Sequence, residues 1–207
     1  MRKIDLSAWP RREIYEAHAG MTSPFFMISF RVDVTRVYDW ARPRGLSFYY
    51  AMVWLTAAAM NSVENFRYTW RGDEVWLADA RDPSFTDLHP GSELYHIVTL
   101  PAGDSPEEFC RRAKEASQSQ TRFLDLSKES GDLIFVSCLP WLDLTAVRCE
   151  RNLDPRDCTP RLTWGKYTED GTGRKVLCLC VEANHAFVDG LHVGRFAQKL
   201  DELIAAL

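Results

Sequence analysis

With 207 residues, 46% of them apolar and 12% aromatic, the chain is too apolar to be disordered and long enough for one core of ordinary size. A formal charge of −4, with Lys and Arg scattered instead of blocked, gives no electrostatic basis for binding nucleic acid or an anionic membrane. No apolar run is long enough to span a bilayer, and the sequence turns polar straight after Met1, so the expectation is a cytoplasmic protein without a secretory signal.

Residues 11–19 read as a short helix closed by Gly20, and residues 25–34 as a strand whose polar residues alternate near its end. From Ser47, suited to an N-cap, to Ser62 the chain is apolar nearly all round, the pattern of a buried helix. Residues 66–70 and 74–78 flank Arg71-Gly72-Asp73 and predict a hairpin. A strand at 94–100 precedes a polar helix from Pro106 to about Arg122, with Glu107 and Glu108 suited to its N-terminal dipole. Residues 133–139 form the next strand, stopped by Pro140. Strands at 162–168 and 175–183 surround the turn-forming Asp170-Gly171. Val193, Phe196, Leu200, Leu203 and Leu207 recur at helical spacing and mark a last amphipathic helix.

Helices and strands in mixed order, with adjacent hairpins, predict an α/β protein: a two-layer α+β sandwich whose mixed, largely antiparallel sheet carries its helices on one side. No repeat or linker divides the chain, so a single domain over residues 1–207 is expected. The six cysteines (110, 138, 149, 158, 178 and 180) read as reduced, mostly buried thiols. Alternation along a strand puts Cys178 and Cys180 on one sheet face, a core arrangement, and no metal site is expected. Neither a Gly-rich dinucleotide turn nor a P-loop is present.

His185 follows the apolar strand end Val181-Glu182-Ala183 and precedes the turn Asp189-Gly190. Two readings are open on residue type alone. A strand-end histidine can be a core residue satisfied by backbone, or an imidazole presented to a cavity where it accepts a proton near neutral pH.

The segment from Asn184-His185 to Asp189-Gly190, continuing to Phe196, resembles the H-H-x-x-x-D-G signature of the chloramphenicol acetyltransferase family. Four further segments agree in order: Trp9-Pro10-Arg11-Arg12-Glu13 with W-x-R-R-E, Asp82-Pro83-Ser84-Phe85-Thr86 with D-P-x-F-T, Ser137-Cys138-Leu139-Pro140-Trp141 with S-x-L-P-W, and Thr163-Trp164-Gly165-Lys166-Tyr167 with T-x-x-K-Y. The family's first histidine is replaced by Asn184, which alternation turns away from His185.

The resemblance implies a coenzyme A-dependent acyltransferase fold and a direct transfer of the acetyl group of acetyl-CoA, a co-substrate and not a tightly bound cofactor, to a hydroxyl of chloramphenicol or a related xenobiotic. It assigns the general base to His185 and the oxyanion donor to Ser137. Asp189 then pairs with Arg11 as a structural partner, and Thr163 holds an ordered water. Trp141, Lys166 and Tyr167 fall where the family contacts coenzyme A; Ala17, His18, Pro24, Phe26 and Tyr95 fall in the acceptor pocket, with Ala17 and His18 departing from the usual Phe-Tyr pair. A homotrimer with sites between subunits is also implied. By residue type alone, Ser137 can equally be a strand-end hydroxyl bonded to backbone, Asp189 an exposed loop residue, Trp141 and Tyr167 core or interface aromatics, and Lys166 a solvated side chain. Two other functions share the pattern: an acyltransferase acting on a dihydrolipoamide-like acceptor, which is disfavoured because no lipoyl module or linker precedes the domain, and a non-catalytic trimeric binding protein.

Overall fold

The structure, a computed structural model, describes residues 1–128 and 131–207. A short strand β1 (Arg2–Lys3), helix α1 (Arg12–Ala19) and long strand β2 (Phe25–Asp33) are followed by helices α2 (Thr35–Ala41) and α3 (Phe48–Asn61). Strands β3 (Tyr68–Arg71), β4 (Glu74–Leu77), β5 (Asp82–Leu88) and β6 (Tyr95–Thr99) lead to α4 (Pro106–Ser119). Then come β7 (Leu133–Leu139), β8 (Arg161–Gly165), β9 (Thr168–Glu169), β10 (Lys175–Asn184) and the final helix α5 (Gly190–Ala205). The main sheet runs β2-β10-β8-β7-β5-β6, with β9 beside β10, while β1, β4 and β3 make a separate small sheet. Within the main sheet only the β5–β7 and β7–β8 pairs are parallel, which is the mixed, largely antiparallel arrangement that the hairpin signals predict.

Helix α3 is the centre of the helical layer. Its N-terminus is capped as expected, the Ser47 hydroxyl accepting from Tyr50 N at 3.3 Å. Ala51, Met52, Val53, Leu55, Ala57 and Met60 are all fully buried, which a helix achieves only when it is covered on every side. It packs on β5 and β7 and lies against α2, α4 and α5. Each of its large apolar side chains removed from water contributes about 1.5–3 kcal/mol, so this layer fixes the sheet beneath it.

Several elements differ from expectation, each for a local reason. Helix α2 was not anticipated: its seven residues are too short to display a period. Phe66 belongs to a 3-10 turn, Glu64–Arg67, and not to the strand that follows. The strand expected over 162–168 is interrupted after Gly165 because Lys166 N donates to Leu142 O at 2.7 Å, leaving the ladder. In the β9–β10 hairpin the positive φ is carried by Gly173, at 84°, and not by Gly171. The helix expected to reach about Arg122 stops at Ser119. Of the six cysteines, 110, 178 and 180 are buried and the other three only half-buried.

Candidate active site

The His185 turn begins where β10 ends. Asn184 pairs in register with Phe25 of β2, and the next residue leaves the ladder but remains tethered, His185 N donating to Pro24 O at 2.7 Å. Arg11 grips the turn from the other side. Its Nε donates to Ala186 O at 3.0 Å, Nη2 to His185 O at 3.2 Å, and Nη1 pairs with Asp189 Oδ2 at 2.8 Å. Packing places that guanidinium. Trp9 lies edge-on to Tyr68 at 4.9 Å, Tyr15 stacks on Phe187 at 5.9 Å, and Trp70 approaches the same buried Phe187 at 4.3 Å. This aromatic cluster fixes α1 and the small sheet to the turn, so the W-x-R-R-E segment acts through Trp9 as well as Arg11.

Asp189 has two tasks. It caps α5, its Oδ1 accepting from Leu191 N at 3.1 Å, while His192 Nδ1 accepts from Asp189 N at 3.1 Å in return. Burial alone raises the Asp189 carboxyl, but the Arg11 hydrogen bond and nearby positive charge outweigh it and hold the group below its ordinary value. Burial also lowers His192, so the ring is neutral, and the bond from Asp189 N makes Nδ1 its accepting nitrogen. The 3.0 Å approach of His192 to Asp189 Oδ1 is therefore not an ion pair at neutral pH.

The His185 ring is half-buried. His18 stacks on it at 4.3 Å with 10° between planes, and Phe26 meets it at 4.7 Å. Its Nδ1 is shielded from solvent, which leaves Nε2 as the accessible nitrogen. Pro24, Phe26 and His18 thus gather round His185, with Ala17 exposed beside His18 on α1.

A second group forms a row across the middle of the sheet. Ser137 is the register partner of Thr163, which is the partner of Cys180. On the other side, Thr86 Oγ1 lies 3.3 Å from Ser137 Oγ. Cys149 Sγ lies 3.3 Å from Thr163 Oγ1, from the segment that crosses this face of the sheet. Burial pushes the Cys138 and Cys180 thiols up to about 12 and about 11, so these two are protonated and poor nucleophiles.

A third group sits at the sheet end where β7 and β8 stop. Trp141 is 67% exposed, and Lys166 is exposed beside it through the Lys166 N to Leu142 O bond. Gly165 makes the crossing possible: a Cβ there would lie 2.5 Å from Leu142 O. Tyr167 turns the other way, into edge contacts with Tyr38 and Phe48, both at 5.6 Å.

Counting about 3.4 Å per residue along β10 and about 4.8 Å per strand across puts Ser137 roughly 17 Å from Asn184, Lys166 beyond about 20 Å and Tyr95 nearly 30 Å away. Within one chain, His185 and Ser137 do not meet, and Tyr95 lies with neither His18 nor Phe26.

The family model for chloramphenicol acetyltransferase matches residues 1–201. This chain belongs to the chloramphenicol acetyltransferase family. It is 31% identical over 212 residues to the chloramphenicol acetyltransferase of Streptomyces acrimycini, covering 98% of this chain and 93% of that one. To chloramphenicol acetyltransferase 3 of Escherichia coli it is 28% identical over 208 residues, covering 97% and 95%. A solved chloramphenicol acetyltransferase superposes with a TM-score of 0.88 at 22% identity, covering 99% of this chain and all of that one, and so shares the fold.

The segments that resemble the family's motifs supply residues to all three groups. Sequence reasoning missed Thr86 and Cys149 as neighbours of the row; Thr86 was visible inside Asp82-Pro83-Ser84-Phe85-Thr86, while Cys149 had no signal because only the path of its segment brings it there. The hydrogen bonds that surround Asn184 were likewise invisible.

Proposed function

We propose that the chain is an acetyl-CoA-dependent O-acetyltransferase of the cytoplasm, acting on chloramphenicol or a related hydroxyl-bearing acceptor. The observation that carries this reading is the His185 turn, held by Arg11, Asp189 and Pro24 with Nε2 left accessible. Nε2 takes the acceptor hydroxyl's proton as its oxygen attacks the thioester carbonyl carbon. The Ser137 hydroxyl donates to the developing oxyanion, and Thr163 holds a water beside it. On collapse the carbon–sulfur bond breaks, the acetyl group stays on the acceptor oxygen, and the coenzyme A thiolate recovers the proton.

For His185 and Ser137 to serve one site, this reading joins two copies of the chain, and in a closed trimer each His185 faces the Ser137 and Thr163 of its neighbour. Lys166 and Trp141, with Tyr167 behind them, then receive coenzyme A. The acceptor lies between Ala17, His18, Pro24 and Phe26 on one side and Tyr95 on the other.

The test is thiol release from acetyl-CoA in the presence of chloramphenicol, followed for the wild type and for His185→Ala. Loss of a general base lowers turnover by about 10²–10⁴. Turnover that survives the substitution, or a wild type inert toward chloramphenicol and a panel of other alcohols, sinks the reading. A monomer by sedimentation that nevertheless turns over contradicts the shared site.

A further inference from the structure

Asn184 stands where the family signature has its first histidine. It is 2% exposed, yet its side chain is densely bonded. Nδ2 donates to Pro155 O at 2.8 Å and Asp157 O at 3.1 Å, while Oδ1 accepts from Ala186 N at 3.0 Å. The two carbonyls can only accept and the backbone N–H can only donate, so chemistry fixes the orientation of the amide. One side chain thereby bridges the segment at 154–159 to the residue directly after His185.

That segment is itself anchored. Asp157 pairs with Arg161 at 3.1 Å and takes Thr159 N at 2.9 Å, and Arg156 reaches Asp73 at 2.9 Å across to the β3–β4 hairpin. Arg151, its side chain only 2% exposed, spans Asp157 and Glu182 and lies 3.9 Å over the ring of Phe25, the register partner of Asn184. The bridge therefore ends on a fixed support.

We infer that Asn184 is a positioning residue, which sets the His185 turn against the 154–159 segment from the side opposite Arg11. A neutral imidazole offers one donor and one acceptor and cannot serve two carbonyls and an N–H together, whereas the amide has donors and acceptor on separate arms. The departure from the family pattern is thus matched to the path of this chain's own 154–159 segment. The role rests on His185 being the base.

Asn184→Asp keeps an acceptor for Ala186 N and puts an oxygen against the two carbonyls; Asn184→Ala removes all three bonds; Asn184→His supplies the family's residue. In acetyl transfer from acetyl-CoA to chloramphenicol, kcat falls ~10–100-fold in the Asp and Ala variants, the scale of a misplaced catalytic group, with both KM values within about twofold of wild type. Asn184→His, keeping one donor, recovers part of the loss. Labelling of His185 by diethyl pyrocarbonate, read by peptide mass spectrometry without substrates, changes several-fold in the same two variants. Wild-type kcat together with a wild-type labelling rate in a folded Asp or Ala variant overturns the inference. If the Ala variant does not fold, the Asp and His variants, close in size to Asn, carry the test. Should the wild type turn over no acceptor, the base assignment fails on its own, while the labelling rates still decide whether Asn184 positions the ring.

Discussion

Where β10 stops, His185 is caught between a half-buried arginine, a buried asparagine and a backbone tether; where β7 and β8 stop, Trp141 and Lys166 stand out from the surface. The first end satisfies nearly every backbone polar group of a five-residue turn, which costs conformational freedom and holds the backbone that carries His185, while the buried Nδ1 of its ring has no hydrogen-bond partner. The second end leaves its side chains exposed, which fits the contact with coenzyme A proposed for it. The row of Thr86, Ser137 and Thr163 lies between them, held by strand pairing and by the contacts of Thr86 with Ser137 and of Cys149 with Thr163. Chemistry demands fixed geometry at the reacting atoms and tolerates looser contact at the handle of a substrate.

This contrast can be broken experimentally. Ser137→Ala leaves the strand intact and removes the oxyanion donor, so turnover should fall ~10²–10³-fold with the melting temperature little changed. An equal fall in thermal stability would instead class Ser137 as structural.

Arg11→Ala is the next largest effect and is expressed as stability. It deletes one ion pair and two hydrogen bonds from a side chain only 10% exposed, for an expected loss of about 2–4 kcal/mol in urea denaturation. Its pH dependence adds a sign. Because Asp189 is held below its ordinary value in the fold, the unfolded chain binds more protons, and this part of the stability is present above about pH 4 and lost as the pH falls through the depressed folded value. The variant should lack that limb; a stability curve parallel to wild type between pH 5 and 3 would show that Arg11 does not set the Asp189 charge.

The smallest effect belongs to the open end. Lys166→Ala removes one exposed cation, so KM for acetyl-CoA should rise only ~2–5-fold, with kcat unchanged. A kcat loss as large as that of Ser137→Ala would erase the distinction between the two ends.

Much of this was legible in residues alone. The all-round apolar run at 47–62 could only be a covered helix, the Gly72 turn could only join two strands, and alternation placed the sulfurs of Cys178 and Cys180, 4.0 Å apart, on one face. Motifs named Arg11, Ser137, Thr163, His185 and Asp189 before any geometry was available. The resemblance implies a pairing of Arg11 with Asp189, and these residues, 178 positions apart, lie 2.8 Å from each other.

Periodicity and motif report which residue types recur at which spacing, and those follow from local sterics and the pleat, so the sequence by itself determined most of the longer elements, their faces and the family. Long-range placement follows from packing between distant segments, and only the tertiary structure decided it. It put Cys149 beside Thr163 and the 154–159 segment under Asn184. It also separated His185 from Ser137 by five residues along the chain and two strand spacings across the sheet, a distance no spacing in the sequence encodes.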